Sequence, residues 1–145
     1  MSDNGFSHIA LVVKDLDASV SFYRCYAAMT VIHRREAGGP VRAVAWLSDF
    51  TRDFALVLVE SAVLEDTPLG PFGHLGVACA SRSEVDRLAK QAQQEGILRK
   101  APTDSGPPVG YWTYIADPDG NTLELSHGQT IAFTVKDAQR LTSGD

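Results

Sequence analysis

The feature that most constrains this chain is a pattern of residues that occurs twice. The apolar segment His8-Ile-Ala-Leu-Val-Val opens on a histidine and precedes a helix-like segment, and His74-Leu-Gly-Val-Ala-Cys repeats this order. The two histidines are 66 residues apart (74 − 8), close to half of the 145-residue chain. Internal similarity at a fixed spacing indicates a duplicated structural unit. The sequence therefore predicts two halves built on one plan.

Each half is predicted to contain one strand, one helix and three further strands. Near-continuous apolar runs indicate buried strands, and apolar residues at helical spacing indicate helices over roughly 19–26 and 83–94. Turns rich in Gly, Pro and Asp separate the remaining strands, predicted over 30–36, 43–48, 54–60, 98–101, 112–116 and 122–126. One more strand is expected over 131–135. The predicted class is α+β, with two βαβββ modules.

The domain boundaries follow from this plan. We predict a single domain over 1–145, with a first module over 6–63 and a second over 74–128. The linker between them, 64–73, contains two prolines and two glycines. The polar segment 137–145 is expected to be flexible.

Composition excludes several classes of function. The formal net charge of −5 argues against binding to nucleic acid or to an anionic membrane surface, both of which require a basic face. Apolar runs such as 9–13 and 54–59 are far shorter than the ~20 residues that span a bilayer. The two cysteines are too few for a disulfide framework, and the first eight residues lack the features of a secretory signal. A cytoplasmic location is therefore expected.

Three residues on separate predicted strands form a candidate metal site. His8 and His74 occupy equivalent positions in the two halves, and Glu124 is a carboxylate between two leucines. A buried carboxylate needs a partner, a metal or a shifted pKa. Two imidazoles and one carboxylate suit Fe(II), Mn(II), Zn(II), Co(II) or Ni(II). Counting the His74–Glu124 interval from His8 reaches apolar residues at 57 and 58, which indicates three protein ligands and not four.

Each of these residues also has a structural interpretation. A single histidine at the start of a strand is more often a cap or a hydrogen-bonded polar residue than a ligand. A single glutamate in a strand usually faces solvent, because alternate positions point outward. Taken together, the two symmetry-related histidines and the glutamate favour a metal site over separate structural roles for each residue.

Four other residues are candidates for the chemistry or for substrate binding. A hydroxyl of Tyr111 or Tyr114 could donate to a metal-bound oxyanion, although packing is the more common role of strand aromatics. These tyrosines are three residues apart, so at most one of them faces the site. Arg42 and Trp46, four apart on one face of a strand, are candidate substrate-binding residues, a pattern that also fits ordinary packing.

Three stretches of the sequence carry a resemblance to a known family. They are His8-Ile-Ala-Leu-Val-Val-Lys-Asp-Leu-Asp-Ala-Ser with Phe22-Tyr23, then Gly73-His74-Leu-Gly-Val, and Asp117-Pro-Asp-Gly-Asn-Thr-Leu-Glu124-Leu. They span most of residues 6–127, and the third is the most specific. The chain resembles single-subunit members of the vicinal oxygen chelate superfamily, which includes glyoxalase I, extradiol dioxygenases, fosfomycin-resistance transferases and bleomycin-binding proteins.

The resemblance has implications for fold, site and function. It implies paired βαβββ modules that form a curled mixed sheet around a metal-containing cavity, often in a homodimer. Family ligands carry over onto His8, His74 and Glu124, whereas Val57 replaces the fourth ligand, a Glu, of glyoxalase I-like members. This departure argues against glyoxalase I activity itself. A metal-dependent enzyme that acts on a small oxygenated molecule, as a ring-cleaving dioxygenase or as a lyase or isomerase, is the leading hypothesis. The alternative is a metal-free binding or drug-sequestering protein.

Overall fold

The computed structural model describes residues 5–63, 69 and 72–143, and for Phe133 it describes the backbone only. Three helices and eight strands follow one another along these residues. In chain order they are β1 (His8–Val13), α1 (Leu16–Ala27), β2 (Thr30–Glu36), β3 (Ala43–Ser48), β4 (Ala55–Glu60), β5 (His74–Ala78), α2 (Arg82–Gln94), β6 (Leu98–Asp104), β7 (Tyr111–Ala116), β8 (Thr122–His127) and α3 (Ile131–Thr142). The predicted α+β class with two βαβββ modules is confirmed.

The strands form two four-stranded mixed sheets of the same topology. The first has the order β1-β4-β3-β2 and the second β5-β8-β7-β6, and the first strand of each module pairs in parallel with the last. The chain divides into two compact units, residues 1–72 with 117–121 and residues 73–116 with 122–145. The turn between β7 and β8 therefore belongs to the first unit.

One helix covers one face of each sheet. Asp15 caps α1 by accepting a hydrogen bond from the Ala18 amide, and Ser81 caps α2 by accepting from the Glu84 amide. The apolar stripe of α1 includes the fully buried Leu16 and Tyr23, and α2 buries Val85, Leu88, Ala89 and Ala92. Burial of these stripes fixes which face of each sheet is core, and polar strand residues therefore stand on the opposite face.

The segment after β8 differs from the prediction. A strand was expected over 131–135, but these residues begin the helix α3. The β-branched residues Ile131, Thr134 and Val135 favour strand by propensity, but good helix formers follow from Lys136 on, and Asp137 and Arg140 form an ion pair one turn apart. The predicted flexible segment 137–145 starts inside this helix and its last two residues lie outside the described ones, as does most of the 64–73 linker. The flexibility and the module boundaries stay predictions.

Strand β6 is also longer than predicted. It extends to Asp104 because Thr103 and Asp104 pair with Trp112 and Tyr111 after two register irregularities. None of the described helices is long and apolar enough to cross a membrane.

Candidate functional site

Strand β8 places a carboxylate in an apolar setting. Leu123 and Leu125 are 1% and 0% exposed and share the face of the sheet that α2 covers, so Glu124 lies on the opposite face. Glu124 is itself only 7% exposed. A carboxylate with this burial needs charged or hydrogen-bonding partners.

Both oxygens of the Glu124 carboxylate have partners within the second unit. Oε2 lies 3.3 Å from Nε2 of His74, and Oε1 accepts a hydrogen bond of 3.2 Å from Nε2 of Gln129. The residue opposite Glu124 on β5 is Gly76, and a Cβ there would lie 3.6 Å from Oε2. The two carboxylate oxygens therefore have different partners, since the side-chain amide of Gln129 donates to Oε1 and the imidazole of His74 faces Oε2.

The His74–Glu124 separation is compatible with two ligands of one metal ion. Ligand atoms about 2.1 Å from one ion, with angles of about 90–110° between them, are about 3.0–3.4 Å apart. A direct imidazole–carboxylate hydrogen bond or ion pair also accounts for the 3.3 Å distance. Among the described residues, no group of three or more His, Cys, Asp or Glu side chains is close enough to hold a metal. The donor types fit a divalent ion, and the second unit supplies two of the three predicted ligands.

Aromatic side chains extend this site along the same face of the sheet. Tyr114 is the cross-strand partner of Glu124, and its ring centroid lies 5.2 Å from that of His74. The Trp112 ring packs against that of Tyr114 in a tilted arrangement, with centroids 4.6 Å apart, and Trp112 Nε1 donates to Oγ of Ser105. Burial, together with the negative charge of Glu124, raises the pKa of the Tyr114 phenol. A phenol is protonated at neutral pH even at its ordinary pKa, so the hydroxyl can act as a donor.

The structure brings Tyr114, and not Tyr111, to the carboxylate. The Tyr111 hydroxyl donates to Asp86 on α2, and the Arg82 guanidinium lies 4.8 Å from its ring centroid. His127 is likewise directed elsewhere, with Nδ1 3.0 Å from the carbonyl oxygen of Cys79. Tyr111 is three residues from Tyr114, and His127 is three residues from Glu124. Strand alternation therefore turns both side chains to the opposite face of the sheet.

The first unit contains the third predicted ligand and the counterpart of each site position. His8 is exposed, and its Nδ1 lies 2.9 Å from Oγ of Ser7. Two residues after each histidine, Ala10 pairs with Val57 and Gly76 pairs with Glu124. Strand register therefore identifies Val57, and not Leu58, as the counterpart of Glu124.

The two candidate substrate-binding residues occupy different environments. Trp46 is the partner of Val57, packs against the ring of His33 at 5.1 Å and lines a cavity of the first unit. Arg42 precedes β3 and is not among the residues that line this cavity. Arg52 does line it, although the sequence offered no signal for it beyond its place in a polar turn.

Gln129 is another residue that sequence analysis did not identify. It follows β8 in an irregular segment, where side-chain direction does not obey the two-residue alternation of a strand. Its link to Glu124 is visible only in three dimensions.

Comparison with known proteins assigns the family. The sequence model of the Glyoxalase/Bleomycin resistance protein/Dioxygenase superfamily matches residues 5–125. A protein of Pseudomonas aeruginosa described as uncharacterized is 37% identical over 127 residues, which cover 86% of this chain and 89% of the relative. The chain therefore belongs to the glyoxalase, bleomycin resistance protein and dioxygenase superfamily, and the resemblance found in the sequence is confirmed.

Solved structures show the same fold at low sequence identity. The trypanothione-dependent glyoxalase I of Leishmania major matches with a TM-score of 0.70 and 19% identity, over 99% of this chain and 100% of that one. A point mutant of the fosfomycin resistance protein FosX from Listeria monocytogenes, complexed with Mn(II) and 1S,2S-dihydroxypropylphosphonic acid, matches with a TM-score of 0.66 and 21% identity. That match covers 92% of this chain and 99% of FosX. Glyoxalase I of Zea mays matches with a TM-score of 0.66 and 24% identity over 83% of this chain, which spans only 43% of the maize chain.

Proposed function

We propose that this protein is a divalent-metal-dependent enzyme that acts on a small oxygenated molecule. The metal ligands in this proposal are His74 and Glu124, with His8 of the same chain or of a second copy as the third. The observation that carries the proposal is the 3.3 Å approach of an imidazole nitrogen to a buried carboxylate oxygen. The Mn(II) complex of FosX, a protein of the same fold, is consistent with it.

The chain's own residues would have distinct roles in such a site. A bound divalent ion would supply Lewis acidity toward oxygen atoms of the substrate. Gln129 holds Oε1 of Glu124 and leaves Oε2 directed at His74. Tyr114, whose phenol is protonated at neutral pH, would donate a hydrogen bond to a developing oxyanion.

Ligand count separates this proposal from glyoxalase I chemistry. Val57 has no metal-binding atom at the position that matches Glu124. Two histidines and one carboxylate leave several positions on the ion for substrate, which suits a ring-cleaving dioxygenase with Fe or Mn and a lyase or isomerase with Zn, Ni or Co. The homodimer and the cytoplasmic location expected from the sequence stay predictions.

A metal-free binding or drug-sequestering protein is the second candidate. It is favoured by the absence, among residues 5–63, 69 and 72–143, of a three-residue metal cluster. In that case the His74–Glu124 contact is an imidazole–carboxylate contact between β5 and β8 that helps to fix the sheet.

A titration with Mn²⁺ distinguishes the two candidates. We expect the wild-type protein to bind one Mn²⁺ per chain and His74→Ala to lose at least about tenfold in affinity, since second-shell changes alone cost about 10–100-fold at metal sites. The matched control is His127→Ala on the same sheet, which removes an imidazole bonded to a backbone carbonyl and should leave Mn²⁺ affinity unchanged. Equal affinity of His74→Ala and wild type would contradict the ligand assignment, and a lack of binding to all three proteins would support the metal-free candidate.

A further inference from the structure

A cavity of about 490 Å³ lies in the first unit, and all of its lining residues belong to that unit. Small-molecule sites typically occupy about 300–1,000 Å³ and combine apolar walls with a few polar groups. The cavity is therefore of a size for one or two rings.

Half of the ten residues that line the cavity are apolar, and three of these are aromatic. Trp46, Phe50, Phe54 and Ile32 line it, and Trp46 and Phe50 are 42% and 72% exposed. A flat ligand would remove this apolar surface from water and would stack on the aromatic faces.

The backbone that presents Phe50 is strained and fixed by hydrogen bonds. Phe50 has a φ of +61°, in the left-handed region that non-glycine residues rarely adopt. The Ser48 hydroxyl accepts from the Phe50 amide at 3.0 Å, and Asp49 Oδ1 accepts from the Thr51 amide at 2.9 Å. Such strain persists only where the surroundings enforce it, and it clusters at ligand sites.

Arg52 gives the cavity a cationic donor. Its Nε donates to the Thr51 hydroxyl at 3.2 Å, and no described carboxylate lies within ion-pair distance of its guanidinium. Burial opposes ionisation of Asp49, but hydrogen bonds from the Thr51 hydroxyl and amide, together with the charge of Arg52, lower the pKa of its carboxyl. Asp53 is the one carboxylate and Arg52 the one cation among the described lining residues. A guanidinium presents a planar fork that matches a carboxylate.

The cavity adjoins the predicted ligand His8. Ser7 and Ala55 both line it. The Ser7 hydroxyl lies 2.9 Å from Nδ1 of His8, and Ala55 is the cross-strand partner of His8. A ligand in the cavity would therefore lie next to that imidazole.

We propose that this cavity binds an aromatic carboxylate, with the carboxylate on Arg52 and the ring against Trp46 and Phe50. The inference rests on the proposed function only in that this ligand would be the substrate. Ring binding itself requires no metal.

The test uses the full-length protein, with and without EDTA, and three probes: 2-naphthoate, the neutral 2-naphthamide and the cationic 2-naphthylmethylamine. The chain has two tryptophans, and Trp46→Phe identifies the indole N–H resonance of Trp46 in a ¹H–¹⁵N spectrum. We expect 2-naphthoate to shift the Trp46 resonance and to bind roughly tenfold more tightly than the amide, as a charge-assisted hydrogen bond allows. EDTA should not abolish this shift.

Substitution of Arg52 tests the charge assignment. In Arg52→Gln, acid and amide should bind with equal affinity, whereas in the matched control Arg34→Gln, whose guanidinium pairs with Asp17 outside the cavity lining, the preference for the acid should persist. The proposal is overturned if the amine is preferred, if acid and amide bind equally to the wild type, or if no probe shifts Trp46. Because these measurements do not depend on Mn²⁺ binding, failure here and failure of the metal proposal are distinguishable.

Discussion

Two non-glycine residues among those described hold left-handed backbone conformations, and they do so for different reasons. Phe50 displays its ring over a cavity. Ala28, with a φ of +52°, is the C-cap of α1, and its amide donates to the carbonyl of Tyr23. Helices often end on a glycine in this conformation, since a Cβ there is costly. Ala28 therefore costs stability relative to a glycine at the same position.

Ala28→Gly is expected to raise the free energy of unfolding by about 0.5–1 kcal/mol, because relief of left-handed strain outweighs the added unfolded-state entropy. Urea denaturation measures the change. The matched control is Ala27→Gly, one residue earlier in helical conformation, which should destabilise by about 1 kcal/mol. Equal signs for the two substitutions would show that Ala28 carries no strain.

Residue-scale prediction worked where local pattern determines the environment. Glu124 lies between two leucines, so alternation alone indicates a carboxylate on the face opposite the core. The roles of Gln129 and Arg52 depend on loop conformation, which no periodicity encodes. Their contacts were therefore beyond sequence analysis.

At the scale of elements, the turn between β7 and β8 packs on α1 within the first unit. The Tyr23 hydroxyl donates to Asp117 Oδ2 at 2.7 Å, and the amides of Asp119 and Asn121 donate to Asp117 Oδ1. Tyr23 and Asp117 are 1% and 4% exposed. Burial, and then the charge of Asp117, raises the pKa of Tyr23 far above its usual range. The turn motif thus has a structural role that is separate from its neighbour Glu124.

Tyr23→Phe is expected to destabilise the protein by about 1–3 kcal/mol at pH 7, because a buried carboxylate loses a donor. The folded-state pKa of Tyr23 is raised, so its contribution is fully present below the unfolded-state pKa of about 10 and is lost as pH rises above it. The advantage of wild type over the variant should therefore shrink above about pH 10.

Urea denaturation at pH 7 and at higher pH measures this dependence. Tyr111→Phe is the matched control, since it removes an exposed hydroxyl–Asp86 contact and should cost under about 1 kcal/mol. A Tyr23→Phe variant as stable as Tyr111→Phe would refute the role assigned to the Tyr23–Asp117 bond.

Element prediction failed after β8, where residue propensity changes within a short segment. The segment that begins at Ile131 is rich in β-branched residues, yet it forms α3, and its described apolar side chains are exposed. Good helix formers follow from Lys136 on, so neither the propensity of residues 131–135 nor a buried apolar stripe indicates this helix. Helices α1 and α2 and most strands were predictable because propensity and apolar spacing agree there.

At the scale of the whole molecule, duplication explains how much of the fold could be predicted. The 66-residue offset between His8 and His74 predicts two modules, and the matching strand orders of the two sheets confirm this prediction. The register then shows that the halves are alike in backbone and different in chemistry, with Val57 where the other half has Glu124. Sequence spacing alone left residues 57 and 58 as alternatives, since one residue of loop length is enough to shift the count.

The proposed function requires that the chain bind a transition metal, and the metal content of the purified protein tests this requirement. Protein purified without chelator should contain about one equivalent of Mn, Fe, Zn, Ni or Co per chain by mass spectrometry, and the added ion should raise the melting temperature of stripped protein. Iron or manganese would point to oxygen chemistry, and zinc, nickel or cobalt to a lyase or isomerase. Less than about a tenth of an equivalent per chain, with no gain in thermal stability on addition of Mn, Fe, Ni or Zn, would contradict the account.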